Sequence, residues 1–239
     1  MRPLTLSLLA LALALPCGAA DKPAAKSDAS TSPTKRKADT PVAAMRAMML
    51  DGEANDPKLL RPWIWTANDL EAEAADVWVG SMTGQQRLKK AVYERFGAEG
   101  LERMDFGSKN PRPPRTDRAK AEAELDSVLK DAVVKVDGDK ATVTHPKQPG
   151  EAVELRKTDE GWKVTFASTL RESRPERLKE YIRLNKRWGP SFHDTAEEVA
   201  AGKFESVEEV NQSLTVRLHP EDAALYKGAA KARKPEQRR

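Results

Sequence analysis

Three histidines and one cysteine are the chain's whole supply of imidazole and thiol groups, the side chains that carry protons near neutrality and bind transition metals most readily: His145, His193, His219 and Cys17. His145 closes the alternating run Ala141-Thr142-Val143-Thr144-His145, which places it on the side of Ala141 and Val143. An imidazole on an apolar strand face is the sharpest candidate here for proton transfer. Its structural reading, a strand-end histidine hydrogen-bonded beside Pro146, takes precedence over catalysis. His193 directly precedes Asp194, but neighbours at a helix start point in different directions and do not form a relay. His219 precedes Pro220 in an expected surface turn. Asp69, Glu71, Glu73 and Asp76 could gather a hard cation. No His or Cys joins them, and acids favour the first turns of a helix for dipole reasons. No metal and no cofactor is therefore expected. Tyr93 and Tyr181 fall on expected helices, and no Ser-His-Asp set, phosphate-binding glycine loop or zinc spacing can be assembled.

The elements that must position these groups follow from periodicity and turn chemistry. Thr40-Pro41 reads as a helix cap with proline at the first helical position, and Val42, Met45, Met48 and Met49 repeat at helical spacing up to about Leu50. Lys58 to Trp65 is apolar but broken by Pro62, so it suits a short turn. Leu70, Ala74, Val77, Trp78, Leu88, Val92 and Phe96 mark one face of a long helical stretch, with a break expected near Gly80 or Gly84 and Thr83 as a new cap. A helix capped by Thr116 carries Leu125, Val128 and Leu129 into a sheet over about residues 131–167. There, Asp137-Gly138-Asp139 and Thr158-Asp159-Glu160-Gly161 are hairpin turns. Between them Val134, Val136, Ala141, Val143, Val153, Leu155, Trp162, Val164 and Phe166 form one apolar face. Such a face must be covered by helices. Further helices are expected over about 174–218, one starting at Ser173 or Pro175 and carrying Leu178, Ile182 and Trp188, and a last one opened by the capping box Ser206-Val207-Glu208-Glu209.

The ends read differently. Met1-Arg2-Pro3 and the apolar run Leu4–Leu15 have the form of an export signal, too short for a bilayer that needs about 20 apolar residues. Residues 1–20 are read as that signal, cut after Ala19 or Ala20. Lipidation at Cys17 is the rival, and Pro16 stands where such signals carry a small residue. Residues 21–40 lack large apolar side chains and are read as a disordered linker, and 228–239 as a basic tail. Residues 41–227 remain as one domain. The formal charge of +4 comes from 41 basic and 37 acidic residues intermixed along the chain, a solvated surface rather than a nucleic-acid footprint. A periplasmic or extracellular location follows from the export signal, and a mature chain without thiols would use no disulfide.

Helices followed by a meander that ends Gly161-Trp162-Lys163-Val164, with Val134-Lys135-Val136-Asp137-Gly138-Asp139 before it, resemble the nuclear-transport-factor-2-like, or ketosteroid-isomerase-like, superfamily. The resemblance covers about residues 41–166 and implies an α+β fold: N-terminal helices packed on a curved four-stranded antiparallel meander, here with added C-terminal helices. It implies a pocket or a dimerisation face, and members range from isomerases to plain binding modules, so function does not follow from fold. A base and an oxyanion donor projecting into the cone cannot be matched in this chain. The expected function is thus an exported, non-enzymatic envelope protein that binds a small apolar ligand or another protein, with Trp63, Trp65, Trp78, Trp162 and Phe166 as pocket candidates. The alternative is a small-molecule isomerase or hydrolase using His145 or a helix carboxylate. A homodimer is a further expectation, as is contact of the basic tail, Arg112, Arg115, Arg171, Arg174 and Arg177 with an anionic surface.

Overall fold

The computed structural model describes residues 37–106, 118–146 and 148–220. The segment expected to be an export signal, most of the expected linker, Arg112, Arg115, Thr116 and the basic C-terminal segment lie outside the described residues. The chain is α+β, but its sheet is not the expected four-stranded antiparallel meander. Strands β1 (Ile64–Trp65), β2 (Val133–Asp137), β3 (Lys140–His145), β4 (Gln148–Thr158) and β5 (Gly161–Thr165) form one mixed sheet in the order β1-β5-β4-β3-β2. The added strand, β1, runs parallel to β5 through Ile64–Val164 and Trp65–Thr165. Two residues carry no periodicity, so β1 is visible only once β5 offers it an edge.

The two predicted hairpins form as expected. Asp137 pairs with Lys140 and Thr158 with Gly161, each across a two-residue turn. Gly161 sits at φ 103, and a Cβ there would lie 2.6 Å from the Ala38 carbonyl oxygen, which accepts from Trp162 N–H at 2.9 Å. Glycine is thus required both by the turn and by the chain that crosses it. The loop after His145 is shorter than expected, because β4 already begins at Gln148.

Helix α1 (Pro41–Glu53) is capped by Thr40, whose hydroxyl accepts from Ala43 N–H at 3.2 Å, and it runs three residues beyond the expected end near Leu50. Its methionines Met45 and Met48 are buried in the cluster that contains Val143, Leu155, Trp162 and Val164, as core filling. A short α2 (Pro57–Leu60) and a single 3₁₀ turn (Arg61–Trp63) lead into β1. Helix α3 (Asp69–Glu102) is not broken at Gly80 or Gly84. Its only non-helical residue is Gly97, at φ 72, and the Thr83 hydroxyl donates to Val79 O at 2.8 Å instead of capping. After α4 (Arg118–Leu129) and the sheet come α5 (Phe166–Leu170), α6 (Pro175–Asn185), α7 (Trp188–Ala200) and α8 (Val207–Leu218). Trp188 therefore starts its own helix instead of extending α6. No helix among the described residues is long and apolar enough to cross a membrane.

The glycines expected to break α3 serve contact instead. α3 crosses α7 so closely that a Cβ on Gly189 would lie 2.9 Å from Gly80 C, and one on Gly84 would lie 2.9 Å from Phe192 Cβ and 3.0 Å from Gly189 O. Beyond this crossing a second core gathers Leu88, Val92, Phe192, Val199, Val210 and Leu214 from α3, α7 and α8, separate from the core against the sheet. Burying each such side chain contributes about 1.5–3 kcal/mol. The second core explains why α7 and α8 stay on the body of the molecule, while α5 and α6 contribute Phe166, Leu178, Tyr181 and Ile182 to the core against the sheet.

Candidate functional site

Where α2, the 3₁₀ turn and β1 meet α3 and β5, the surface opens into a groove of about 560 Å³. Pro57, Pro62, Ile64, Val79 and Gly80 give it apolar walls, and Lys58, Arg61, Lys163 and Asp76 supply its charges. Local sequence explains each position. Asp56 caps α2 by accepting from Lys58 N–H at 2.8 Å, which sets Lys58 in the first turn, and Arg61 follows one turn later. Lys163 alternates with the buried Trp162 and Val164 on β5.

The Arg61 guanidinium is held from two sides, by Asp76 Oδ1 at 2.5 Å and by the Ile64 carbonyl at 3.1 Å. Lys163 Nζ meets Glu160 Oε2 at 2.6 Å on the rim. Lys58 has no side-chain partner among the described residues. Three cations thus surround an apolar trough that contains one carboxylate, an arrangement suited to a small anion with an apolar body.

The residues singled out from sequence are dispersed. His145 is buried at the end of β3, on the face of Ala141 and Val143. Trp63, Trp78, Trp162 and Phe166 do converge, all within the core against the sheet, while Trp65 lies under the Arg156 guanidinium at 5.1 Å. Trp63 Nε1 donates to the buried Asp51 carboxylate at 2.7 Å. The acidic run of α3 divides among separate tasks. Glu71 completes a reciprocal cap, with its carboxylate accepting from Ala67 N–H at 2.8 Å and its own N–H donating to Asn68 Oδ1 at 2.9 Å. Asp76 holds Arg61, and Glu73 faces Lys186 at 4.0 Å. No group of three or more metal-ligating side chains occurs among the described residues.

Burial pushes the His193 imidazole below its ordinary value, reinforced by Arg87 and opposed by Glu197 and Asp194, while Asp194 also faces Arg217 at 3.9 Å. Of the five arginines expected to meet an anionic surface, the three among the described residues each meet a carboxylate, Arg171 with Glu151, Arg174 with Glu172 and Arg177 with Glu180. The Arg174 guanidinium and backbone N–H together hold the Glu172 carboxyl down at about 2. Sequence reading missed Lys58, Arg61 and Lys163 as a set because they belong to three elements with no fixed spacing.

Tyr181 on α6 is buried with its hydroxyl unpartnered among the described residues, and burial raises its phenol above the ordinary 10.0. A buried hydroxyl without a partner costs about 1–3 kcal/mol. Tyr181→Phe should therefore stabilise the fold by about 1 kcal/mol in urea denaturation. The sign with pH follows: the raised value favours the neutral phenol in the folded state. That contribution is complete below about pH 10 and is lost as pH rises through the folded value. The variant should accordingly lose less stability than the parent above about pH 10, and equal alkaline slopes would refute this assignment.

The chain matches no protein-family model, no curated protein and no solved structure.

Proposed function

We propose that this is an exported, non-enzymatic binding module that holds a small amphiphilic anion in the groove between the β1 edge of the sheet and helix α3. One observation carries the reading: Lys58, Arg61 and Lys163 surround the apolar walls made by Pro57, Pro62, Ile64 and Val79, with Asp76 as the groove's own counter-charge. Arg61 is already oriented by Asp76 and Ile64, so an acidic head group would meet a guanidinium whose ordering cost has largely been met. The buried tryptophans support the site indirectly, since Trp63 immediately precedes Ile64 and is fixed by Asp51. The nuclear-transport-factor-2-like resemblance belongs to the same proposal, supported by α1 packing against β3 and β5.

Catalysis has weaker support. The buried carboxylates Asp51 and Glu71 bond to Trp63 Nε1 and Ala67 N–H, and the buried Tyr181 hydroxyl has no hydrogen-bond partner among the described residues.

Calorimetric titration with decanoate tests the proposal, with decyl maltoside as an uncharged probe of similar chain length. Decanoate should bind, decyl maltoside should not, and affinity should fall as salt rises. Lys58→Glu should weaken decanoate by on the order of ten-fold without altering thermal stability, because the parent side chain is exposed and unpaired among the described residues. No decanoate binding, or equal binding of both probes, would defeat the anion reading.

A further inference from the structure

The sheet's two edges are treated unequally. One row of side chains runs across all five strands through Val136, Ala141, Leu155, Val164 and Ile64. Its last four members are at most 3% exposed, whereas Val136 is 55% exposed. The next row repeats the pattern: Val143 and Val153 are buried and Val134 is 37% exposed. On the opposite face of β2, Val133 is 57% exposed. The helices cover the sheet up to β3 and leave apolar β2 bare at the edge, the kind of strand that invites pairing with another strand.

The hydrogen-bonding phase of β2 is fixed by its hairpin. Asp137 and Lys140 close a two-residue turn and so form a hydrogen-bonded pair, as do Lys135–Thr142 and Val133–Thr144 by alternation. The N–H and C=O groups of Val134 and Val136 therefore point out of the sheet.

We propose that β2 pairs antiparallel with β2 of a second copy of this chain, about a two-fold axis through Val136, joining two sheets into one of ten strands. In that register the outward-pointing backbone groups of Val136 bond reciprocally with those of its counterpart. Lys135 then stands directly opposite Asp137 of the second copy, on one face and in the closer, non-hydrogen-bonded position, and the two-fold repeats the pair. Opposite charges there stabilise the pairing and like charges oppose it. A centre at Lys135 would satisfy the same backbone groups but would set two lysines against each other, and one at Val134 would set Asp131 against Asp137. Charge complementarity thus selects both the occupant and the register. The two anion grooves would lie at the outer ends of the joined sheet, so this pairing is independent of the proposed ligand.

Sedimentation equilibrium of the purified protein over a concentration series tests the pairing, with Lys135→Asp and Asp137→Lys as variants. The parent should dimerise with Kd on the order of 10 µM, as a small interface implies. Each variant alone should be at least ten-fold weaker, since each creates two like-charged pairs. An equimolar mixture of the two variants should regain dimer, because both carboxylates of the Lys135→Asp copy then face the two ammonium groups of the Asp137→Lys copy. A parent that stays monomeric to several hundred micromolar overturns the proposal. So do variants that dimerise like the parent, a mixture that gains nothing, or a monomer whose Val134 and Val136 amides are already protected from exchange by the chain's own segments.

Discussion

Replacing Gly189 with alanine should destabilise the protein by about 2 kcal/mol, a fall of about 4–8 °C in thermal midpoint for a chain of this size. Two effects compete. Alanine is a better helix former than glycine by up to about 1 kcal/mol, so helix propensity alone predicts a gain. Against it, the new Cβ would sit 2.9 Å from Gly80 C, 3.2 Å from Gly80 O and 3.3 Å from Gly80 Cα. Those are backbone atoms of the facing helix and cannot rotate away. Relief requires α3 and α7 to separate, which loosens the packing of Leu88, Val92, Phe192 and Val199 behind the crossing. Overpacking of this kind costs about 1–3 kcal/mol and exceeds the propensity gain. Gly80→Ala supplies the opposite sign within the same crossing: its Cβ would have 4.0 Å to the nearest atom, Gly189 Cα, so propensity wins and stability rises by up to about 1 kcal/mol. Urea denaturation of the two variants checks the pair of signs, and stabilisation by both would mean the helices do not meet this closely.

Asp51→Ala should cost about 2–3 kcal/mol. Asp51 is 1% exposed and accepts from Trp63 Nε1 at 2.7 Å. Removing the carboxylate leaves the indole N–H inside the cluster of Met45, Met48, Leu60 and Ile64, where water does not replace the acceptor. Asp51→Asn keeps an oxygen in place and should cost about half as much, the difference being the charge assistance. Trp63→Phe removes the donor from the other side. Because the two residues act through one bond, the double substitution Asp51→Ala with Trp63→Phe should cost less than the sum of the single ones, by about 1–2 kcal/mol. Additive costs in that cycle would show that the buried pair contributes nothing as a pair. The effect matters beyond stability, since Trp63 is followed directly by β1, which forms one wall of the groove.

Parts of this fold written in short-range chemistry were legible in advance. Thr40-Pro41 and Ser206 cap their helices as expected, with the Ser206 hydroxyl accepting from Glu209 N–H at 3.3 Å. The Asp137-Gly138-Asp139 and Thr158–Gly161 turns closed the hairpins they were read to close. Each depends on a few neighbouring atoms, so each survives any tertiary context. The parallel strand β1 was not legible, because two residues show no alternation and their pairing depends on β5, about a hundred positions later. The continuity of α3 was misread for a related reason. A glycine inside a helical pattern signals either a break or a close approach, and only the presence of α7 distinguishes them. The groove is not legible because its charges come from three distant stretches of chain, Lys58 with Arg61, then Asp76, then Lys163. His145 drew attention as the one titratable residue in an apolar alternation, yet that alternation is also what buries it.

By itself, the sequence determined the α+β class, the two hairpin registers and which strand face is apolar, since these rest on caps, turns and side-chain alternation that act over a few residues. Tertiary structure alone decided three things: that β1 joins the sheet in parallel, that Gly80, Gly84 and Gly189 let two helices touch, and that the helices cover the sheet at β5, β4 and β3 but leave β2 open. These depend on which surfaces meet after collapse, and contact between distant segments leaves no periodic trace in either of them.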